Sequence, residues 1–398
     1  MSDILSGLNE FQKTAVTYQG TPLLILAGAG SGKTRVLTHR AAYFIQQKLA
    51  SPSEILLLTF TNKAAGEMKN RMNDLLKVET SRRGISADNQ IFAGTFHSFG
   101  CRVLRIYGKN TGLSSDFVIY DSDDQENLLR SLLSEMGLTT KEFKPSSLLY
   151  FIESAKNSFQ SPHQVQSKAQ GFWEATAAKI YARYQSQLLK NQALDFNDLL
   201  FKTVELFQQF PNILEKYWGR YHYILVDEYQ DTNELQYLLT KLLAAKYQQI
   251  TAVGDASQSI YGWRGANYKN LSSFTVDFPN TKIINLEENY RSTQNILNAA
   301  NSVISKNISH PVLKLFTKKN SPAKIKVYEA DSEIDEADYI SAKIKELHDS
   351  LHFAYKDIAV LYRMNAQSRA IEESFLRNNL PYVLIGGLRF YDRAEIKD

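Results

Sequence analysis

The sequence predicts an α/β fold built on parallel sheets, and three observations carry that prediction. Short apolar runs alternate with helical patterns along most of the chain, a glycine-rich turn joins one such run to a helix, and two adjacent acids close another run. Strands that return through helices lie parallel, with both sheet faces covered. With 398 residues, at roughly 150 per domain, two or three domains are expected. The 43% apolar and 22% charged residues suit packed cores and exclude a disordered chain.

In chain order, strand-like runs fall at Leu23 to Leu26, Ile55 to Phe60, Tyr223 to Val226, Ile250 to Val253, Lys282 to Leu286, Ile325 to Tyr328 and Ile358 to Leu361. Helical patterns follow at Lys33 to Leu49, Asn62 to Leu76, Glu234 to Ala245, Thr293 to Ser305, Glu333 to Leu347 and Ala366 to Arg377. From about 110 to 190 the rhythm breaks into helices alone, at Asp123 to Met136, Ser146 to Lys156 and Gly171 to Leu189, which reads as a helical insertion in an α/β domain. Neither a repeat nor a low-complexity linker interrupts the chain.

Lysine and arginine number 46 against 42 acids, so the net charge of +4 is too small to imply a polyanion partner by itself. Cys101, the single cysteine, excludes an internal disulfide and a cysteine-cluster metal site and suits a reducing compartment. MSDILSGLNEFQ at the start has no basic stretch followed by an apolar one, and no apolar run approaches bilayer-spanning length. The expectation is a soluble, cytoplasmic protein with no membrane partner.

Chemistry begins at AGAGSGKT, residues 27–34, set between the run 23–26 and the helix opening at Lys33. Gly28, Gly30 and Gly32 let the backbone approach a phosphate closely and turn N–H groups toward it, and the helix N-terminus adds positive dipole. Lys33 would reach the β and γ phosphates, and Thr34 would offer its hydroxyl to Mg²⁺. Ala27 stands where the general pattern has glycine.

ILVDEYQD at 224–231 is an apolar strand ending in Asp227 and Glu228. Successive strand residues point oppositely, so the two acids can divide the work: Asp227 suits Mg²⁺ through its water shell, and Glu228 suits activating an attacking water. Alone, such an acidic strand end also reads as structural; beside a phosphate loop it favours nucleotide hydrolysis. In AVGDASQSIYGWRGA, residues 252–266, Gln258 can sense a γ phosphate, while Tyr261, Trp263 and Arg264 read either as a platform for stacked bases or as core aromatics with an arginine over them.

These segments together resemble a superfamily 1 DNA helicase of the UvrD/Rep/PcrA group. LNEFQ at 8–12 resembles the family's adenine-reading segment, and LLLTFTNKAAGEM at 56–68, GTFHSF at 94–99 and LDFNDLL at 194–200 resemble its further motifs. DEYQD, GDASQSIYGWRGA and ENYRS at 288–292 continue the series, and YRMNAQSR at 362–369 and GGLRFYDRAEIKD at 386–398 resemble stretches of a second motor domain.

The resemblance implies a RecA-like motor domain at 1–109 and 191–280, a helical insertion at 110–190, and the opening of a second RecA-like domain at 281–398. It implies ATP and Mg²⁺ as cofactors. The ATP site would take Gln12 as base reader, Ala27, Gly28, Ala29, Gly30, Ser31, Gly32, Lys33, Thr34, Arg35, Tyr290 stacking on adenine and Arg291 near the γ phosphate. Lys33, Asp227, Glu228, Gln258 and Arg291 would carry the chemistry, with Thr34 and Asp227 on Mg²⁺ through water. Phe60, Asn62, Thr95, His97, Phe196, Tyr261, Trp263, Arg264, Arg363 and Asn365 fall at positions resembling single-stranded DNA contacts. His97, Phe60 and Phe196 also read as core packing, and Arg363 as the partner of a surface acid.

The implied function is 3′ to 5′ DNA translocation and unwinding, on single-stranded and 3′-tailed duplex DNA, with repair or replication proteins as partners. Rival readings are a phosphate-loop NTPase acting on a partner that is not nucleic acid, and a binding module with little turnover. The chain stops where the family's inserted subdomain would begin, so it reads as an N-terminal fragment lacking the last motifs. Lys314, Lys318, Lys319, Lys324 and Lys326, in a stretch without acids, read as a phosphate-facing patch or a solvated loop.

Overall fold

The computed structural model describes residues 4–20, 22–76, 91–262 and 265–385. It divides into two compact units, Met1–Pro322 and Ala323–Asp398.

Among the described residues of the first unit eight strands form, β1 (Leu23–Ala27), β2 (Ile55–Thr59), β3 (Phe92–Thr95), β4 (Val118–Ile119), β5 (Ala193–Leu194), β6 (Tyr223–Val226), β7 (Ile250–Gly254) and β8 (Lys282–Leu286). Six make one sheet in the order β3-β2-β6-β7-β1-β8, every pairing parallel; β4 and β5 pair apart. Because strand side chains alternate, each central strand feeds two cores. Leu24, Leu56, Leu58, Ile224, Val226 and Ala252 join one apolar cluster, and Ile25, Leu57, Leu225 and Val253 the other. All five residues of β2 are buried, which explains its unbroken apolar sequence.

The helices Lys33–Gln46 and Asn62–Leu76 cover one face through Val36, Leu37, Phe44, Met68 and Met72. Phe96–Tyr107, Asp198–Gln209, Pro211–Arg220 and Glu234–Ala244 contribute to the opposite cluster. The helix expected to run from Lys33 to Leu49 ends at Gln46, because Lys48 takes a left-handed φ of 58°. Strand β3 escaped the sequence reading: four residues with Gly94 among them give a weak strand pattern.

Between β3 and β6 the helices Ser122–Glu135, Pro145–Asn157, Pro162–Lys168 and Gly171–Lys190 gather their own cluster, including Leu129, Leu133, Leu148, Ile152, Ile180 and Tyr184. A buried ionic group joins these helices to the turn after β5. Lys156 Nζ lies 2.6 Å from Asp195 Oδ2 and 2.7 Å from Asp198 Oδ1. Tyr184 donates its hydroxyl to Asp195 Oδ2 at 3.1 Å, and Gln185 Nε2 donates to Asp198 Oδ1 at 3.0 Å. Burial works against the lysine's charge, yet the two carboxylates more than offset it and hold Lys156 above its ordinary pKa.

Two expectations change. The segment 282–286, expected to open the second domain, pairs with β1 in register Ile25↔Ile284, so the first unit continues to Pro322. In the second unit, 325–328 and 358–361 form no strand among the described residues; Val327 and Leu361 are exposed, and a ladder needs a neighbouring backbone to pair with. That unit is built on the helices Glu333–Asp349 and Ser368–Arg377, packed through Ala337, Ile344, Ile371 and Phe375.

Candidate functional site

Strands running parallel bring their C-terminal ends to one edge, where open α/β sheets place their ligand crevice. From β1 comes the phosphate loop, from β6 Asp227 and Glu228, from β7 Asp255 and Gln258, and from β8 the segment Glu288 to Arg291. Phe60 follows β2, and His97 follows β3.

Gly30 and Gly32 take φ of 68° and 89°, a region L side chains avoid. A side chain on Gly30 would also come within 2.6 Å of Asn289 Nδ2, and one on Gly28 within 2.1 Å of Leu315 Cδ2. Ser31 Oγ donates to Gly28 O at 2.8 Å, closing the loop on itself. The helix begins at Lys33, whose Nζ donates to Gln258 Oε1 at 2.9 Å and pairs with Glu228 Oε2 at 3.3 Å. Thr34 Oγ1 donates to Asp227 Oδ2 at 2.9 Å.

Asp227 is fully buried, and burial followed by the charge of Glu228 pushes its carboxyl up to about 6. Asp231 rises to about 6 for the same two reasons. Glu228 occupies a left-handed turn, φ 50°. The three acids give the site a surplus of negative charge that Lys33 meets in part, and an added cation would relieve that surplus.

Gln12, expected as base reader, is 1% exposed. Its Nε2 donates to Ser31 O at 2.9 Å and its Oε1 accepts from Asn9 N at 3.1 Å, within a capping box that opens the helix Glu10–Thr17. Asn9, which the sequence reading passed over, donates Nδ2 to Tyr290 Oη at 2.7 Å and to Glu288 Oε2 at 3.1 Å. The Tyr290 ring is 42% exposed and open to stacking. Arg291 is exposed beside the loop, and Arg35, two residues past Lys33 on its helix, is half-buried. Asn289 was also missed: buried, it reaches across to the loop backbone at Ala29. Lys318, from the basic stretch, stays largely exposed to solvent while its Nζ pairs with Glu288 Oε1 at 2.9 Å.

Phe60 and Tyr261 stack with centroids 5.2 Å apart and planes 22° apart, both half-buried. His97 and Phe196 form a second stack at 3.9 Å and 20°. Phe196 is 54% exposed, so it is not core packing. Burial lowers His97 to about 4, which makes it a neutral ring at pH 7. Thr95, buried, caps the helix by accepting from Ser98 N at 3.1 Å, while Asn62 is exposed at a helix start. In the second unit Arg363 and Asn365 are exposed, and the Arg363 backbone N–H donates to Gln367 Oε1. Trp263, Arg264 and residues 386–398 lie outside the described residues. Among the described residues no helix is long and apolar enough to cross a membrane.

Residues 8–279 match the UvrD/REP helicase N-terminal domain, and residues 284–398 match the UvrD-like helicase C-terminal domain. The ATP-dependent DNA helicase PcrA of Bacillus subtilis (strain 168) is 47% identical over 397 residues, covering 100% of this chain and 53% of the relative. That of Leuconostoc citreum is 45% identical over 99% of this chain and 52% of its own length. That of Staphylococcus aureus (strain Mu50) is 45% identical over 100% and 53%. The chain thus spans about half the length of the curated relatives it matches. A phosphate loop, an acidic strand end and paired aromatics on one sheet edge, together with both family matches, make this chain a member of the UvrD/Rep/PcrA group of superfamily 1 helicases.

Proposed function

We propose that this chain binds and hydrolyses ATP with Mg²⁺, grips single-stranded DNA, and belongs to a cytoplasmic helicase that moves 3′ to 5′ and opens 3′-tailed duplexes in repair or replication. Residues 1–109 and 191–280, their sheet completed by 282–286, act as the first motor domain, 110–190 as its helical insertion, and the second unit up to 398 as part of the second motor domain. The observation that carries the reading is the position of Lys33 Nζ between Glu228 and Gln258, directly at the mouth of the phosphate loop.

Lys33 exchanges those two partners for phosphate oxygens when ATP enters, leaving Glu228 to accept the proton of the attacking water and Gln258 to report the γ phosphate. Arg291 adds fixed positive charge for the transferring group, Tyr290 stacks on the adenine, and Gln12 reads its edge once its amide is released from Ser31 O. Thr34 and Asp227 suit Mg²⁺: both offer oxygen, and Asp227 is buried in a site with surplus negative charge. When bound, Mg²⁺ supplies charge neutralisation at the phosphates.

Phe60, Tyr261, Trp263, His97 and Phe196 offer ring faces to bases, with Asn62, Thr95, Arg264, Arg363 and Asn365 as polar contacts. The decisive experiment measures ATPase rate with and without single-stranded DNA, then strand displacement from 3′-tailed and 5′-tailed duplexes. ATP hydrolysis indifferent to DNA would favour an NTPase with another partner, and opening of only 5′-tailed duplexes would reverse the polarity.

A further inference from the structure

Five residues close a hydrogen-bonded ring beside the phosphate loop. Lys33 Nζ donates to Gln258 Oε1 at 2.9 Å, and Gln258 Nε2 donates to Asp255 Oδ2 at 2.6 Å. The Asp255 backbone N–H donates to Gln230 Oε1 at 3.0 Å, and Gln230 Nε2 donates to Glu228 Oε2 at 2.8 Å. Glu228 Oε2 returns to Lys33 Nζ at 3.3 Å. Lys33, Glu228 and Gln258 have proposed parts in hydrolysis; Gln230 has none so far.

Gln230 is 1% exposed, so no substrate reaches it from solvent. Its position between the ends of β6 and β7 demands an amide. A carboxylate only accepts and a backbone N–H only donates, so the group between them must donate at one end and accept at the other. Room for it depends on Gly254, where a Cβ would lie 2.8 Å from Gln230 Oε1. The backbone carbonyl of Gln230 also accepts from Ser259 Oγ at 3.2 Å, one residue past Gln258 and two before Tyr261.

We propose that Gln230 is a positioning residue: it holds the Glu228 carboxylate toward Lys33 and ties that orientation, through Asp255, to Gln258 and the segment leading to the Phe60–Tyr261 pair. A change at the phosphates is thereby passed to the aromatic pair through one buried amide. The proposal rests on the hydrolytic reading of Glu228 and Gln258 above.

Gln230→Met keeps length and volume but removes the side chain's hydrogen bonds: the one it accepts from Asp255 N and those its Nε2 donates to Glu228 Oε2 and, at 3.2 Å, to Asp231 Oδ2. The expected result is a kcat for ATP lowered about tenfold, the scale of one lost hydrogen bond to a charged group, with KM for ATP within about twofold. Stimulation by single-stranded DNA falls as well. In the Gln230→Met/Gln258→Met double variant the rate falls no further than in the worse single variant, because the two act as one unit. Should the methionine variant fail to fold, Gln230→Glu retains an acceptor for the Asp255 N–H while losing the amide donor to Glu228, and its kcat falls likewise. A folded Gln230→Met protein with parental kcat, or a double variant whose losses simply add, overturns the proposal. If Lys33→Ala and Glu228→Gln leave hydrolysis intact, the hydrolytic reading fails and this proposal with it; if those two abolish hydrolysis while Gln230 variants do not, only the proposal fails.

Discussion

Asn289 Nδ2 donates to the carbonyl of Ala29 at 2.5 Å, so a buried amide just past β8 holds the phosphate loop leaving β1. Its Oδ1 accepts the backbone N–H groups of Arg291 at 2.8 Å and Ser292 at 2.7 Å, which fixes the turn carrying Tyr290 and Arg291. Asn289→Ala frees both the loop and that turn. Nucleotide affinity should fall about tenfold, in line with roughly 1–3 kcal/mol for a buried polar group left without its partner. Titration with a fluorescent ATP analogue measures it, and unchanged affinity would deny Asn289 this function.

For the chemistry, Glu228→Gln should keep ATP binding while hydrolysis drops by at least ~10²-fold, the usual consequence of losing a general base. Lys33→Ala should weaken nucleotide binding as well. Single-turnover rates beside equilibrium binding separate the two variants, and near-normal turnover by Glu228→Gln removes that residue from the mechanism.

For the polymer, Phe60→Ala, Tyr261→Ala and Trp263→Ala should each cost about 1–3 kcal/mol of single-strand affinity, with little dependence on base sequence. The salt slope of binding should hardly move, since none of the three gives up a phosphate contact. His97, already neutral well above its lowered pKa of about 4, should add no pH dependence between pH 8 and pH 6. Binding curves of parent and His97→Ala that diverge on acidification across that range would contradict the burial-based account.

The raised carboxyl of Asp227 has a definite sign in stability. Its folded pKa of about 6 lies above the ordinary value of 3.8, so between those values the native state binds more protons than the unfolded state. Its contribution is therefore fully present below pH 4 and is lost as pH rises through 6. Asp227→Asn should raise the melting temperature at pH 8, by the equivalent of about 1–2 kcal/mol, while abolishing Mg²⁺-dependent turnover. Equal melting temperatures at pH 8 would show that the buried charge is compensated elsewhere.

Lys156→Met should be among the most damaging single changes in the first unit. It leaves Asp195 and Asp198 buried without their cation, and breaking such a pair costs about 3–5 kcal/mol. Adding Asp195→Asn and Asp198→Asn to the same chain should recover much of the loss. Denaturant unfolding of the single and triple variants decides it, and a mild single variant would mean that water reaches the carboxylates.

What the sequence by itself determined is local: the alternating runs, the phosphate loop and the acidic strand end. Gly30 and Gly32 are legible because their backbone angles exclude other residues wherever the chain goes next, and Lys33 and Thr34 follow them by fixed spacing on one helix start. The Asn9–Gln12 capping box was equally local and could have been read. The tertiary structure alone decided which strand ends are neighbours, since periodicity states that a strand is covered but not by what. Strand order set β8 beside β1, which brought Asn289 and Tyr290 to a loop some 260 residues earlier and extended the first unit past its expected boundary. It also placed Gln230 between β6 and β7, turned the Gln12 amide onto Ser31, and left Phe196 exposed on His97. A side chain's partners are fixed by the sheet's order and register, which arise only when distant runs compete to share one core.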